Sequence, residues 1–179
     1  MEPRETTPYY ENAAIVGASL AVAASLVLYG SLLVAPGNVP VILLSCLGCC
    51  GLVLAPGLII TRMQVKQGGQ KLELGQGAAM GFVTGAVFSI VFTSMEFVWL
   101  LFSVDVNALY FESIIALMEQ AGNNRPIQQM EEMQEQAQNA GGFSILNVLM
   151  SMLVIGLLNM LTGIAGAGLF KGKSDAAYG

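Results

Sequence analysis

Residues 12–61 read NAAIVGASLAVAASLVLYGSLLVAPGNVPVILLSCLGCCGLVLAPGLIIT, 50 positions without one charged side chain. A hydrocarbon layer of about 30 Å takes roughly 20 apolar residues in a helix, so this length fits two bilayer crossings better than one. The cluster Ala35-Pro36-Gly37-Asn38-Val39-Pro40 divides the run, because proline and glycine mark a turn between apolar segments. The expected spans cover about 13–34 and 41–60, joined as a tight helical hairpin.

Outward from that hairpin, charge is absent again over 74–95 and 136–170, which places a third span at about 75–102 and a fourth at about 143–170. Composition agrees with this count: 55% of residues are apolar, 11% are charged and none is His, unlike a soluble domain. Four spans and their loops use nearly all of the 179 residues, so the expectation is a single all-α polytopic domain over 1–179. The first span is expected to be retained. Its apolar run exceeds the roughly 7–15 residue core of a secretory signal, and three glutamates against Arg4 precede it.

Basic residues near span ends stay on the cytoplasmic side during insertion. Arg4 precedes the first span, Arg62, Lys66 and Lys71 lie between the second and third, and Lys171 and Lys173 follow the fourth. With four spans these segments share one face, and both termini are therefore expected to be cytoplasmic. Of the basic residues, Arg125 alone falls opposite, among Asp105, Glu112, Glu119, Glu131, Glu132 and Glu135. That one segment carries as much negative charge as the whole chain, −5. Such acidity repels anionic headgroups and excludes nucleic acid, which requires a basic footprint. The loop from Arg62 to Glu73 holds Gly68-Gly69 and three basic residues, but it lacks the lysine of a phosphate loop; its charges suit anionic lipid headgroups.

Within the acidic segment, apolar residues recur at helical spacing: Phe111, Ile114, Ile115 and Met118, then Ile127, Met130, Met133 and Ala137. Gly122-Asn123-Asn124-Arg125-Pro126 supplies a stop, a cap and a first-turn proline between them. An external amphipathic helical hairpin over about 107–140 is expected. Met130, Met133, Phe111 and Ile114 are its candidate partner-docking residues; the simpler alternative is that both stripes bury against each other or the bilayer interface.

Inside the spans, Gly77, Gly81 and Gly85 recur every fourth residue, as do Gly17, Ala21 and Ser25 in the first span, and Gly156 and Gly163 mark the fourth. Small residues at that spacing let helix backbones approach, within the bundle or between copies. Glu96 is the one acid within a span and the candidate ion or proton site. It stands about 27 Å from the basic end, near Trp99, where an interfacial, solvated carboxylate is the competing expectation. Asn147, Ser151 and Asn159 are read as interhelical hydrogen-bonding groups, and Pro56-Gly57 as a kink or early stop in the second span. Cys46, Cys49 and Cys50 lie on roughly one face, but no His or further Cys completes a metal site, so packing is expected and no metal or cofactor. Neither a Ser–His pair nor paired carboxylates appear, and no enzymatic activity is expected.

The stretch Gly-Gly-Gln-Lys-Leu-Glu-Leu-Gly-Gln-Gly-Ala-Ala-Met-Gly at 68–81, followed by a polar external helical pair and a glycine-rich last span, resembles the bacterial family called domain of unknown function 4199. The resemblance is clearest from Gly68 to Lys173. It implies a four-span protein of the bacterial inner membrane and carries no catalytic residues. Together these readings lead to a non-enzymatic accessory or scaffold subunit that packs against other integral membrane proteins in the bilayer, with self-association as a further option. The alternative is a small transporter or channel component built on Glu96.

Overall fold

The computed structural model describes residues 7–35, 38–68, 72–120 and 145–170. Among them every regular element is an α-helix: α1 Thr7–Val34, α2 Val39–Gly68, α3 Leu74–Leu101, α4 Val106–Gln120 and α5 Ile145–Leu169. The helices α1, α2, α3 and α5 are each long and apolar enough to cross a membrane. The chain is an all-helical polytopic protein. A bilayer interior supplies no hydrogen-bond partners, and helix formation satisfies the backbone of such segments internally.

Short polar residues set the ends. Asn38 caps α2, its Oδ1 accepting from Val41 N–H at 3.4 Å. Glu73 N–H donates to Gln76 Oε1 at 3.2 Å where α3 begins. At the far end of α3, Phe102 and Val104 N–H both turn back to Trp99 O, at 3.0 and 3.1 Å. Ser103 adopts a left-handed φ of 58° to make that reversal. Asp105 then caps α4 by accepting from Ala108 N–H at 3.0 Å.

The third helix is the hub: α3 lies against α1 on one side and α5 on the other, while α2 touches α1, α3 and α5. The pairings Gly77 with Gly163, Gly81 with Asn159 and Gly85 with Ile155 show that α3 and α5 run in opposite directions. The core is stacked in three tiers. Ala13, Ile60 and Met80 fill the end at which α1 begins, Ala21, Ala24 and Phe88 the middle, and Tyr29, Leu32, Ile42 and Val106 the end covered by α4. Leucines such as Leu44, Leu47, Leu149 and Leu153 point outward, as a lipid-facing surface requires.

Two expectations need correction or a limit. Pro56-Gly57 does not end the second span; α2 continues through it to Gly68, carrying Arg62 and Lys66 on its last turns. The reason is a side chain from α5, described below. Of the expected external hairpin, the first helix is α4, which rests against α1 and α3 with Phe111 and Ile114 half-buried. Met130 and Met133 lie outside the described residues.

Gly48 and Gly51 have nothing within 4 Å of where a Cβ would stand. Gly48→Ala is therefore expected to stabilise the helix by about 0.5–1 kcal/mol, read from unfolding titrations in mixed detergent.

Candidate functional site

Two clusters of side-chain hydrogen bonds among the described residues join helices distant in sequence. The first is built around Asn159, whose side chain is fully buried on α5. Proline at 56 has no N–H, so α2 loses the rung to Leu52 O. One residue further on, Gly57 N–H donates to Asn159 Oδ1 at 3.0 Å, while Asn159 Nδ2 donates to Val53 O at 2.9 Å. Gly57 N–H and Val53 C=O are the two groups that an unbroken helix pairs with each other. A single carboxamide serves both, and donates as well to Ile155 O on its own helix at 3.0 Å. This satisfies the backbone beside the proline and allows α2 to continue.

Around the carboxamide the helices touch backbone to backbone. A Cβ on Gly81 would overlap the carbonyl oxygen of Asn159, and one on Gly57 would overlap Asn159 O and Thr162 Oγ1. On Gly85 it would stand 2.7 Å from Ile155 O, and on Gly77 2.6 Å from Gly163 O. Gly163 meets Gly77 in return, Gly156 meets the Phe82 ring at 2.9 Å, and Gly17 on α1 meets Thr84 O on α3. Ala21 is buried beside Ala24 and Phe88. The glycines picked out by their spacing thus lie between helices of this chain. Gly57 and Gly166, which face Thr162 and Thr61, join them although no four-residue spacing announces them.

The second cluster lies under α4. Tyr29 O–H donates to Glu96 Oε1 at 3.3 Å, and Trp99 Nε1–H donates to Ser25 Oγ at 3.0 Å. The Tyr29 ring packs edge-on to Trp99 with centroids 6.3 Å apart and tilted against Phe92 at 5.8 Å. Tyr29 itself is only 6% exposed. Glu96 is half-buried: its neighbour Tyr29 on α1 supplies a donor, and Val104 and Val106 pack in the tier that holds Tyr29. The arrangement can hold a carboxyl group in a fixed orientation at the end of the bundle. Trp99→Phe is expected to cost about 1 kcal/mol of stability, because it leaves the buried Ser25 hydroxyl without its donor.

The cysteines do not share one environment. Cys46 packs against the Tyr29 tier and Cys49 against the Phe88 tier, whereas Cys50 is exposed, and all three are free thiols. Among the described residues no group of three His, Cys, Asp or Glu side chains is placed to hold a metal ion. Asn147 and Ser151 are exposed on the first turns of α5, away from Asn159.

Sequence reading missed Tyr29, Ser25 and the Val53–Gly57 backbone as partners. Pro56 inside a span and Asn inside another were both visible, but nothing local ties them together across more than 100 positions. No family model, curated protein or solved structure matches this chain.

Proposed function

We propose that this chain is a non-enzymatic accessory or scaffold subunit of the bacterial inner membrane, with both termini cytoplasmic, which packs beside other integral membrane proteins in a larger complex. The observation that carries this reading is the closed interior. At Gly77, Gly81, Gly85 and Gly57 the helices meet so closely that a methyl group has no room, and Phe88, Ile60 and Leu32 fill what is left. Among the described residues α3 and α5 are in backbone contact along this seam, whereas carriers place broken helices around a cavity near the midplane. Here α2 stays helical through Pro56, with Asn159 serving its backbone. The bacterial setting draws on the resemblance of 68–173 to domain of unknown function 4199, and the orientation on the placement of the basic residues.

Because the interior glycines are occupied within the chain, a partner would meet the outer leucine-rich face of α5. Extraction in a mild detergent followed by size separation tests this. Co-migration with a defined larger assembly is the expected outcome; a lone monomer would remove the reading's support.

The Tyr29–Glu96 bond favours a second reading, in which the chain is a small transporter or channel component with Glu96 as its proton or cation site. That reading needs a path outside the single bundle, formed by association with other chains.

A further inference from the structure

The geometry points to a bound anionic phospholipid on the outer face of α2, its phosphate held by Arg62 and Lys66 and an acyl chain laid along Ile59, Ala55, Gly51 and Gly48. This goes beyond the accessory-subunit reading and does not depend on it.

The two cations stand on one continuous helix. Beyond Pro56, α2 continues as helix, and the inner face of its last turns buries Ile60, Thr61, Gln64 and Val65. That fixes Arg62 and Lys66 to the opposite, exposed face. Residues four apart on a helix have Cβ atoms about 5–6 Å from each other, so one phosphate group can accept from both. The guanidinium supplies a planar fork of donors and the ammonium a compact charge. They stand on the last turns of the α2 span, which runs over Pro40–Gln67, just past its uncharged stretch that ends at Thr61; basic side chains at the end of a span reach the headgroups.

Along the same stripe the surface is recessed at Gly48 and Gly51. Lys66, Arg62, Ile59, Ala55, Gly51 and Gly48 follow one another at steps of four or three and so share one face of α2. Gly48 and Gly51 are exposed with open space where a side chain would be, in contrast to Gly57 on the same helix, whose space is taken by α5. Leu47 and Leu54 are exposed beside this shallow channel. Charge complementarity selects the occupant: two cations at the base of an apolar channel fit a lipid that carries a net negative phosphate headgroup, not a zwitterionic one.

Native mass spectrometry of the purified chain, after incubation with phosphatidylglycerol or phosphatidylcholine of identical acyl chains, tests the assignment. Wild type is expected to retain phosphatidylglycerol with about tenfold preference, and inorganic phosphate at the same concentration is expected not to displace it. Arg62→Gln with Lys66→Gln should abolish the preference while leaving the melting temperature in lipid-free detergent unchanged. Gly48→Leu with Gly51→Leu, each of which sets its Cβ in open space on this stripe, should lower retention of both lipids. Equal retention by wild type, a preference that survives the double charge substitution, or displacement by inorganic phosphate would overturn the headgroup site. Unaltered retention in the double glycine variant would overturn the acyl-chain path.

Discussion

Gly81→Ala is expected to destabilise the bundle by about 3 kcal/mol, although alanine is the better helix former by roughly 1 kcal/mol. The added methyl would overlap the carbonyl oxygen of Asn159 and stand 2.9 Å from its carbonyl carbon. Those are backbone atoms, which cannot rotate aside as a flexible side chain can. The α3–α5 contact must open, and Gly77 against Gly163 and Gly85 against Ile155 lie on the same seam, so the displacement spreads along both helices. Unfolding titrations in mixed detergent, with Gly48→Ala alongside as the substitution that meets nothing, separate this clash from any general effect of removing a glycine.

Asn159→Ala is the second large loss, expected at about 2–4 kcal/mol. It removes hydrogen bonds to Gly57 N–H and Val53 C=O at once and leaves both backbone groups buried beside a proline. An unpaired buried polar group costs about 1–3 kcal/mol, and partial re-pairing of the two groups with each other keeps the total below their sum. The effect should be local as well as global. Amide exchange measured by mass spectrometry should rise in α2 around Val53–Gly57 more than in α1. Asn159→Asp in its neutral form keeps the acceptor for Gly57 N–H and one O–H donor where the carboxamide has two N–H, and should fall between wild type and Ala at acidic pH.

These two substitutions also mark how far sequence alone could reach. The spans were legible because hydropathy and the absence of charge are properties of one segment at a time, and the helix ends fell close to the expected ones for α3 and α5. The repeat of Gly77, Gly81 and Gly85 announced a close helix contact but not its partner, since several other spans also offered small residues. At Pro56 local reading offered a kink or an early stop, and the early stop does not occur, for a physical reason. Proline's missing donor predicts a break, and the carboxamide that prevents it belongs to a helix about 100 positions away. Glu96 shows the same limit: its burial depends on Tyr29 from α1 and on the tier under α4, which no counting along α3 reveals.

The lipid-facing surface and the closed interior are consequences of one packing scheme. Glycine, alanine and threonine bring backbones together inside, and leucine is displaced to the outside of α2 and α5. Close packing of this kind is a substitute for the hydrophobic effect, which gives membrane helices no reason to associate with one another rather than with lipid. It also leaves Asn159 as a buried polar side chain whose oxygen and nitrogen both find partners at the α2–α5 contact.

The most direct test of the proposed role is ion and proton flux in proteoliposomes that contain the purified chain alone, for wild type and Glu96→Gln. A closed accessory subunit is expected to show no flux above empty vesicles with either protein. A proton or cation flux carried by wild type and abolished by Glu96→Gln would contradict that account and make Glu96 the centre of a conduit.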